Sequence, residues 1–109
     1  MRISSAAGAL TLVLCLANGA VAKDATCYTT DDGEYPCNFE SLDAAGSFEI
    51  SARGKPTFQV WIDVPGEAMV GATFEEGGRS VPLPGTYYRS DEDGACWDND
   101  EMGTEICAW

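Results

Sequence analysis

The chain has 109 residues, with 18 Asp and Glu against 6 Lys and Arg, no histidine, and a net charge of −12. That balance excludes electrostatic binding to nucleic acid or to an anionic membrane surface. The missing imidazole excludes Ser-His-Asp and Cys-His nucleophiles and any histidine metal ligand.

Residues 1–22 read as a cleavable secretory signal. Arg2 is the only charge before Lys23, and an apolar run from Ala6 to Ala17 follows it, centred on Leu10, Leu12, Val13, Leu14 and Leu16. Ala20 and Ala22 then supply the A-x-A pattern that a signal peptidase accepts. The run is shorter than the roughly 20 apolar residues of a membrane span, which argues against a retained anchor. Cys15 follows the bulky Leu14, so it reads as part of the apolar core and not as a lipid-modified cysteine.

Cleavage after Ala22 leaves residues 23–109 as one domain with 18 acidic and 5 basic residues, a net charge of −13. A chain of this size buries only about 60–65% of its unfolded surface, so its core needs covalent support. Cys27, Cys37, Cys96 and Cys107 supply it, because an even cysteine count in a small exported domain implies disulfides. With Asp31-Asp32-Gly33 as a hairpin loop, Cys27 falls opposite Cys37. With Asp100-Glu101-Met102-Gly103 as a second loop, Trp97 falls opposite Ile106 and Cys96 opposite Cys107. The expected pairing is therefore 27–37 and 96–107. Zinc is not expected, since no C-x₂₋₄-C knuckle occurs.

Ser41 to Ala45 has the length of one short helical turn. Phe48 and Ile50 alternate with Glu49 and Ser51 as a short strand, and Thr57 to Val64 is the strongest strand in the chain. Phe58, Val60, Ile62 and Val64 share one face there, and Gln59, Trp61 and Asp63 share the other. Pro65-Gly66 suits a type II turn, after which Ala68, Val70, Ala72 and Phe74 alternate back. Glu75-Glu76-Gly77-Gly78 turns the chain again. Val81 to Gly85 carries prolines that suit an edge, and Tyr87 and Tyr88 resume extension. No capped 3.6-residue stripe appears. The expected fold is all-β: a small antiparallel β-sandwich or partly open barrel of about seven to nine short strands with two disulfides. Eight strands of about 10 residues plus loops would consume more residues than the domain has, and the strands here are shorter, which argues against an outer-membrane barrel.

The inventory of chemical groups is short. Two acidic clusters, Asp91-Glu92-Asp93 and Asp98, Asp100 and Glu101, flank the Cys96 strand and are candidates for one end of the sheet. The calcium-loop pattern fails there, because a ligand position counted from Asp98 falls on Met102 and another on Trp109. No catalytic residue, metal ligand or cofactor-binding residue is assigned, and no cofactor is implied. Trp61 lies opposite the apolar face of its strand. It is either covered by a second layer or exposed as a contact point for a basic protein. Trp109 is expected to seal the core or its rim beside the last disulfide.

In class and size the chain resembles exported bacterial inhibitors of lysozyme, small disulfide-linked β-domains that meet a basic enzyme. Their S-G-x-x-Y loop is absent; the nearest text is Pro84-Gly85-Thr86-Tyr87-Tyr88, so no functional residue is carried over. The expectation is a non-enzymatic binding module, inhibitor-like or accessory, secreted or periplasmic, whose partner is a basic extracytoplasmic protein. A structural envelope protein without a dedicated ligand and a carboxylate-based hydrolase are the alternatives.

Overall fold

The structure, a computed structural model, describes residues 22–109. The secretory-signal reading of residues 1–22 lies outside these residues except at Ala22. Nine strands follow in chain order: β1 (Ala22–Thr29), β2 (Gly33–Ser41), β3 (Phe48–Ser51), β4 (Thr57–Val64), β5 (Glu67–Thr73), β6 (Val81–Pro82), β7 (Tyr87–Arg89), β8 (Cys96–Asn99) and β9 (Thr104–Ala108). They form one antiparallel sheet in the order β4-β3-β2-β1-β9-β8-β7-β5-β6, and β4 also pairs with β5. That last pairing closes eight strands into a barrel and leaves β6 as an extra strand on β5. The expected all-β antiparallel fold of seven to nine short strands with two disulfides is what forms, and its barrel is closed.

The period-2 alternation produces this closure. Ile50, Phe58, Val60, Ala68, Val70, Ala72, Tyr87, Trp97 and Ile106 all turn inward and are buried together. An eight-stranded barrel is just wide enough for such side chains to fill. Small Ala68 and Ala72 on β5 leave room for the large Trp97 and Tyr87. At one end Phe39 stacks on Phe48 with ring centroids 5.0 Å apart.

Both hairpins carry their disulfides, with different registers. In β8–β9, Asn99 faces Thr104, Trp97 faces Ile106 and Cys96 faces Cys107, with 4.0 Å between the bonded Cα atoms. In β1–β2 the turn is Thr30-Asp31-Asp32, so Thr29 faces Gly33 and Cys27 faces Tyr35. Cys37 stands opposite Ala25, and the 27–37 bond joins diagonal positions on the inner face, Cα to Cα 5.9 Å. The cause lies in the turn. The Thr29 hydroxyl accepts the Asp32 N–H, and Gly33 takes the left-handed conformation (φ 70°) at the first position of β2.

Two local expectations are corrected. Val64 does not share the inner face with Ile62, because a bulge between them leaves Val64 exposed. The segment after Ser41 is not helical. Asp43 Oδ1 there accepts the N–H groups of Ala45 and Ser47, at 2.9 and 3.0 Å. These bonds hold the Asp43 carboxyl below its ordinary range, the Ser47 amide contributing most. The loop offers the backbone an Asx turn in place of a helix. Fully buried Ser47 then uses its hydroxyl to accept the Ile62 N–H at 2.8 Å, tying this loop to the bulged part of β4.

Candidate interaction surface

With the interior filled by side chains, the outer wall and the barrel mouths are where other molecules can meet the chain. Outward positions are the odd-numbered residues of β4 and β5. There Trp61 and Met69 are directly opposite partners. They are 48% and 47% exposed, so among the described residues no second layer lies over either side chain.

One strand further round the wall, Tyr88 faces Glu67 and is 51% exposed. Glu67 and Met69 occupy alternate outward positions of β5, so the three large side chains share one face of β4–β5–β7. Two strand spacings and a two-residue offset along the strands put Trp61 and Tyr88 about 12 Å apart across it. Asp63 and Glu67 border the patch, and Asp98 faces Tyr88 from β8 on the other side.

Asp98 in turn faces Glu105. The two carboxyl groups approach closely enough to share a hydrogen bond, which raises the Glu105 carboxyl above its ordinary value. Partial burial and repulsion from Asp98, Asp93 and Glu92 push the same way. Cys96 and Cys107 lie beside Glu105, but both sulfurs are spent in their disulfide. The group therefore offers one carboxylate where three ligands would be needed to hold a metal.

Charge on this surface is largely uncompensated. Among the described residues a single salt bridge forms, Lys55 to Asp32 at 3.6 Å. Two other cations, and Lys55 itself, serve aromatic rings: Lys23 over Phe39, Lys55 over Tyr35, and Arg89 over Trp97 at 4.7 Å. Arg89 thereby caps the buried indole and is not a partner for the outer carboxylates.

The sequence clusters separate. Asp91, Glu92 and Asp93 belong to the β7–β8 loop, while Asp100 and Glu101 sit in the β8–β9 turn at the opposite end of β8. They do not share one end of the sheet. Asp93 accepts the Ala95 N–H and the Trp109 indole N–H, both at 2.9 Å, which lowers its carboxyl. Trp109 also exchanges backbone hydrogen bonds with Thr26. It lies on the outer side with Cys107, beside the second disulfide as expected, but half exposed over the rim.

The alternation of Trp61 against Phe58 and Val60 was the available signal for this surface. Met69 alternates with Ala68 and Val70 in the same hairpin, whereas Tyr88 carried no signal, because only the strand order brings it to this face. No helix of the described residues is long and apolar enough to cross a membrane. In comparisons with known proteins, no family model, curated protein or solved structure matches the chain.

Proposed function

We propose that the chain is a non-enzymatic binding module, inhibitor-like or accessory, which meets a basic extracytoplasmic protein through the outer face of β4–β5–β7. The observation that carries this is the opposed, half-exposed pair Trp61 and Met69 in a border of carboxylates that form no salt bridge among the described residues. Aromatic and Met side chains are the usual energetic anchors of an interface. Carboxylates around them steer a cationic partner and repel anionic ones.

Two disulfides suit an oxidising compartment, and a signal at residues 1–22 would deliver the chain there, to the periplasm or the medium. An apolar interior and a charged exterior reverse the polarity of a transmembrane barrel, which supports a chain surrounded by water. Against catalysis stand the absence of histidine and the two disulfides that consume all four cysteines of residues 22–109.

The test is a pull-down from periplasmic extract and culture fluid with the immobilised, oxidised protein at low and high salt. A basic protein retained at low salt, released by salt, and lost with Trp61→Ala or Met69→Ser supports the reading. Retention unchanged by both substitutions places the contact elsewhere and refutes it, as does the absence of any retained protein at low salt.

A further inference from the structure

The mouth of the barrel at the β1–β2 and β8–β9 turns holds a feature that docking on the outer wall does not use. A cavity of about 180 Å³ opens there, walled by Phe58, Phe74, Leu83, Tyr87, Met102 and Ile106. Phe58, Tyr87 and Ile106 belong to the buried core, so the packing of the barrel fixes the floor. The Tyr87 hydroxyl is occupied in a hydrogen bond with Thr104 Oγ1 at 2.9 Å, which leaves the ring as its free surface.

The lip is different. Phe74 is 60% exposed and Met102 43% exposed. These apolar groups stand in water around an apolar hole, and a ligand that entered would cover them. An apolar cavity of about 150 Å³ is large enough for a benzene molecule. The present one therefore takes a single aromatic ring or an alkyl chain of similar bulk.

Charge at the rim has one prevailing sign. Asp31 and Asp32 line the cavity from the β1–β2 turn, and Asp100 and Glu101 stand in the same turn as Met102. Lys55 is bonded to Asp32, which leaves the other three without a salt-bridge partner. A hydrophobic hole beneath carboxylates complements a cation with an apolar tail. The geometry points to this mouth as a binding site for a small amphiphilic cation, an ammonium group on a short spacer from a ring or alkyl chain. The tail sits between Phe74, Leu83 and Met102, and the ammonium faces Asp31.

Met102 and Met69 make the test selective, since one lies at the mouth and the other on the outer wall. The oxidised protein, labelled with ¹³C at the methionine methyl groups, is titrated at low salt with phenethylammonium, phenethyl alcohol and 3-phenylpropanoate. The ammonium is expected to shift Met102 saturably with a Kd of about 10 mM or tighter, as suits a ligand of fragment size. Met69 stays in place. The alcohol binds about fivefold more weakly and the carboxylate more weakly still, and high salt brings the ammonium to the level of the alcohol.

Asp31→Asn removes the preference for the ammonium without changing alcohol binding, and Phe74→Ser weakens both. Each substitution is on an exposed residue. A Met102 signal that does not saturate, equal binding of all three probes, or a Met69 shift that parallels Met102 overturns the site. The readout at Met69 also separates this result from the outer-wall docking, which can fail or stand independently.

Discussion

Asp98 and Glu105 face each other across the β8–β9 ladder, two carboxylates at a position where opposite charges stabilise a sheet and like charges weaken it. The raised Glu105 carboxyl follows from that pairing. A group with a raised folded-state pKa contributes most below its ordinary value, 4.5, and loses that contribution as pH rises through the folded value. Asp43 and Asp93 act in the opposite sense. Their stabilising hydrogen bonds are lost as pH falls through values held below 3.8. The melting temperature is therefore expected to rise as pH drops from 7 toward about 4.5, then to fall in stronger acid. Circular dichroism melts across this range check it; a steady fall from pH 7 downward contradicts the assignment. Glu105→Gln should add a few degrees at pH 7, about 0.5 kcal/mol, and flatten the neutral side of the profile.

The two disulfides close loops of similar length, with separations of 10 and 11 residues. Chain entropy alone assigns each about 2.8 kcal/mol. The 27–37 bond also fills the inside of the barrel, whereas 96–107 lies on the outer side. Replacing Cys27 and Cys37 by Ala is thus expected to cost more than replacing Cys96 and Cys107, by roughly 1 kcal/mol. Urea unfolding of the two double variants under non-reducing conditions measures the difference.

Trp61 and Trp97 have opposite roles. Trp61→Ala should change stability by less than about 1 kcal/mol, since half of its surface is already in water. Trp97→Ala empties the barrel centre and removes the ring beneath Arg89, at a cost of about 3–5 kcal/mol. Denaturation midpoints separate the two. Partner binding should respond only to Trp61 when both variants are assayed folded.

Asn99 is buried to 1% exposure, yet its amide is satisfied. Its Nδ2 donates to the Pro84 carbonyl at 2.8 Å, and its Oδ1 accepts the Met102 N–H at 3.1 Å. It ties the β8–β9 turn to the segment entering β7. Asn99→Leu leaves both backbone groups without their partner and should cost about 1–3 kcal/mol per group left buried and unpaired. Hydrogen exchange at the Met102 amide should accelerate more than exchange in β3 or β4.

The strands and the two disulfides were legible in the sequence because their signals are local. Phe58, Val60 and Ile62 announce an inner face, and Asp100 to Gly103 fix the β8–β9 register. The β1–β2 register was not legible to the residue. Facing Cys27 with Cys37 in place of Tyr35 is a slip of two residues, which keeps every side chain on its own face and so leaves the hydrophobic pattern unchanged. The bond from the Asp32 N–H to the Thr29 hydroxyl and the left-handed Gly33 decide it, and Thr29 lies outside an Asp31-Asp32-Gly33 loop. The β4–β5 hairpin is local, but closure also needs β7 to pair with β5 and β9 to pair with β1, at sequence distances that no periodicity encodes. The outer patch divides the same way: Trp61 and Met69 follow from the alternation of one hairpin, Tyr88 only from the β5–β7 pairing. The mouth cavity draws its walls from five separate segments.

An open sheet presents two rows of unused N–H and C=O groups that invite a second molecule to extend it. Here the ring of eight strands pairs most of both rows; the Ala22–Ala25 end of β1, which pairs with β2 alone, and the two-residue β6 remain as edges. That strand ends in Pro82, and Pro84 follows closely, so its free side lacks amide donors where an incoming chain would need them. Closure thus leaves few backbone groups from which a second molecule could extend the sheet.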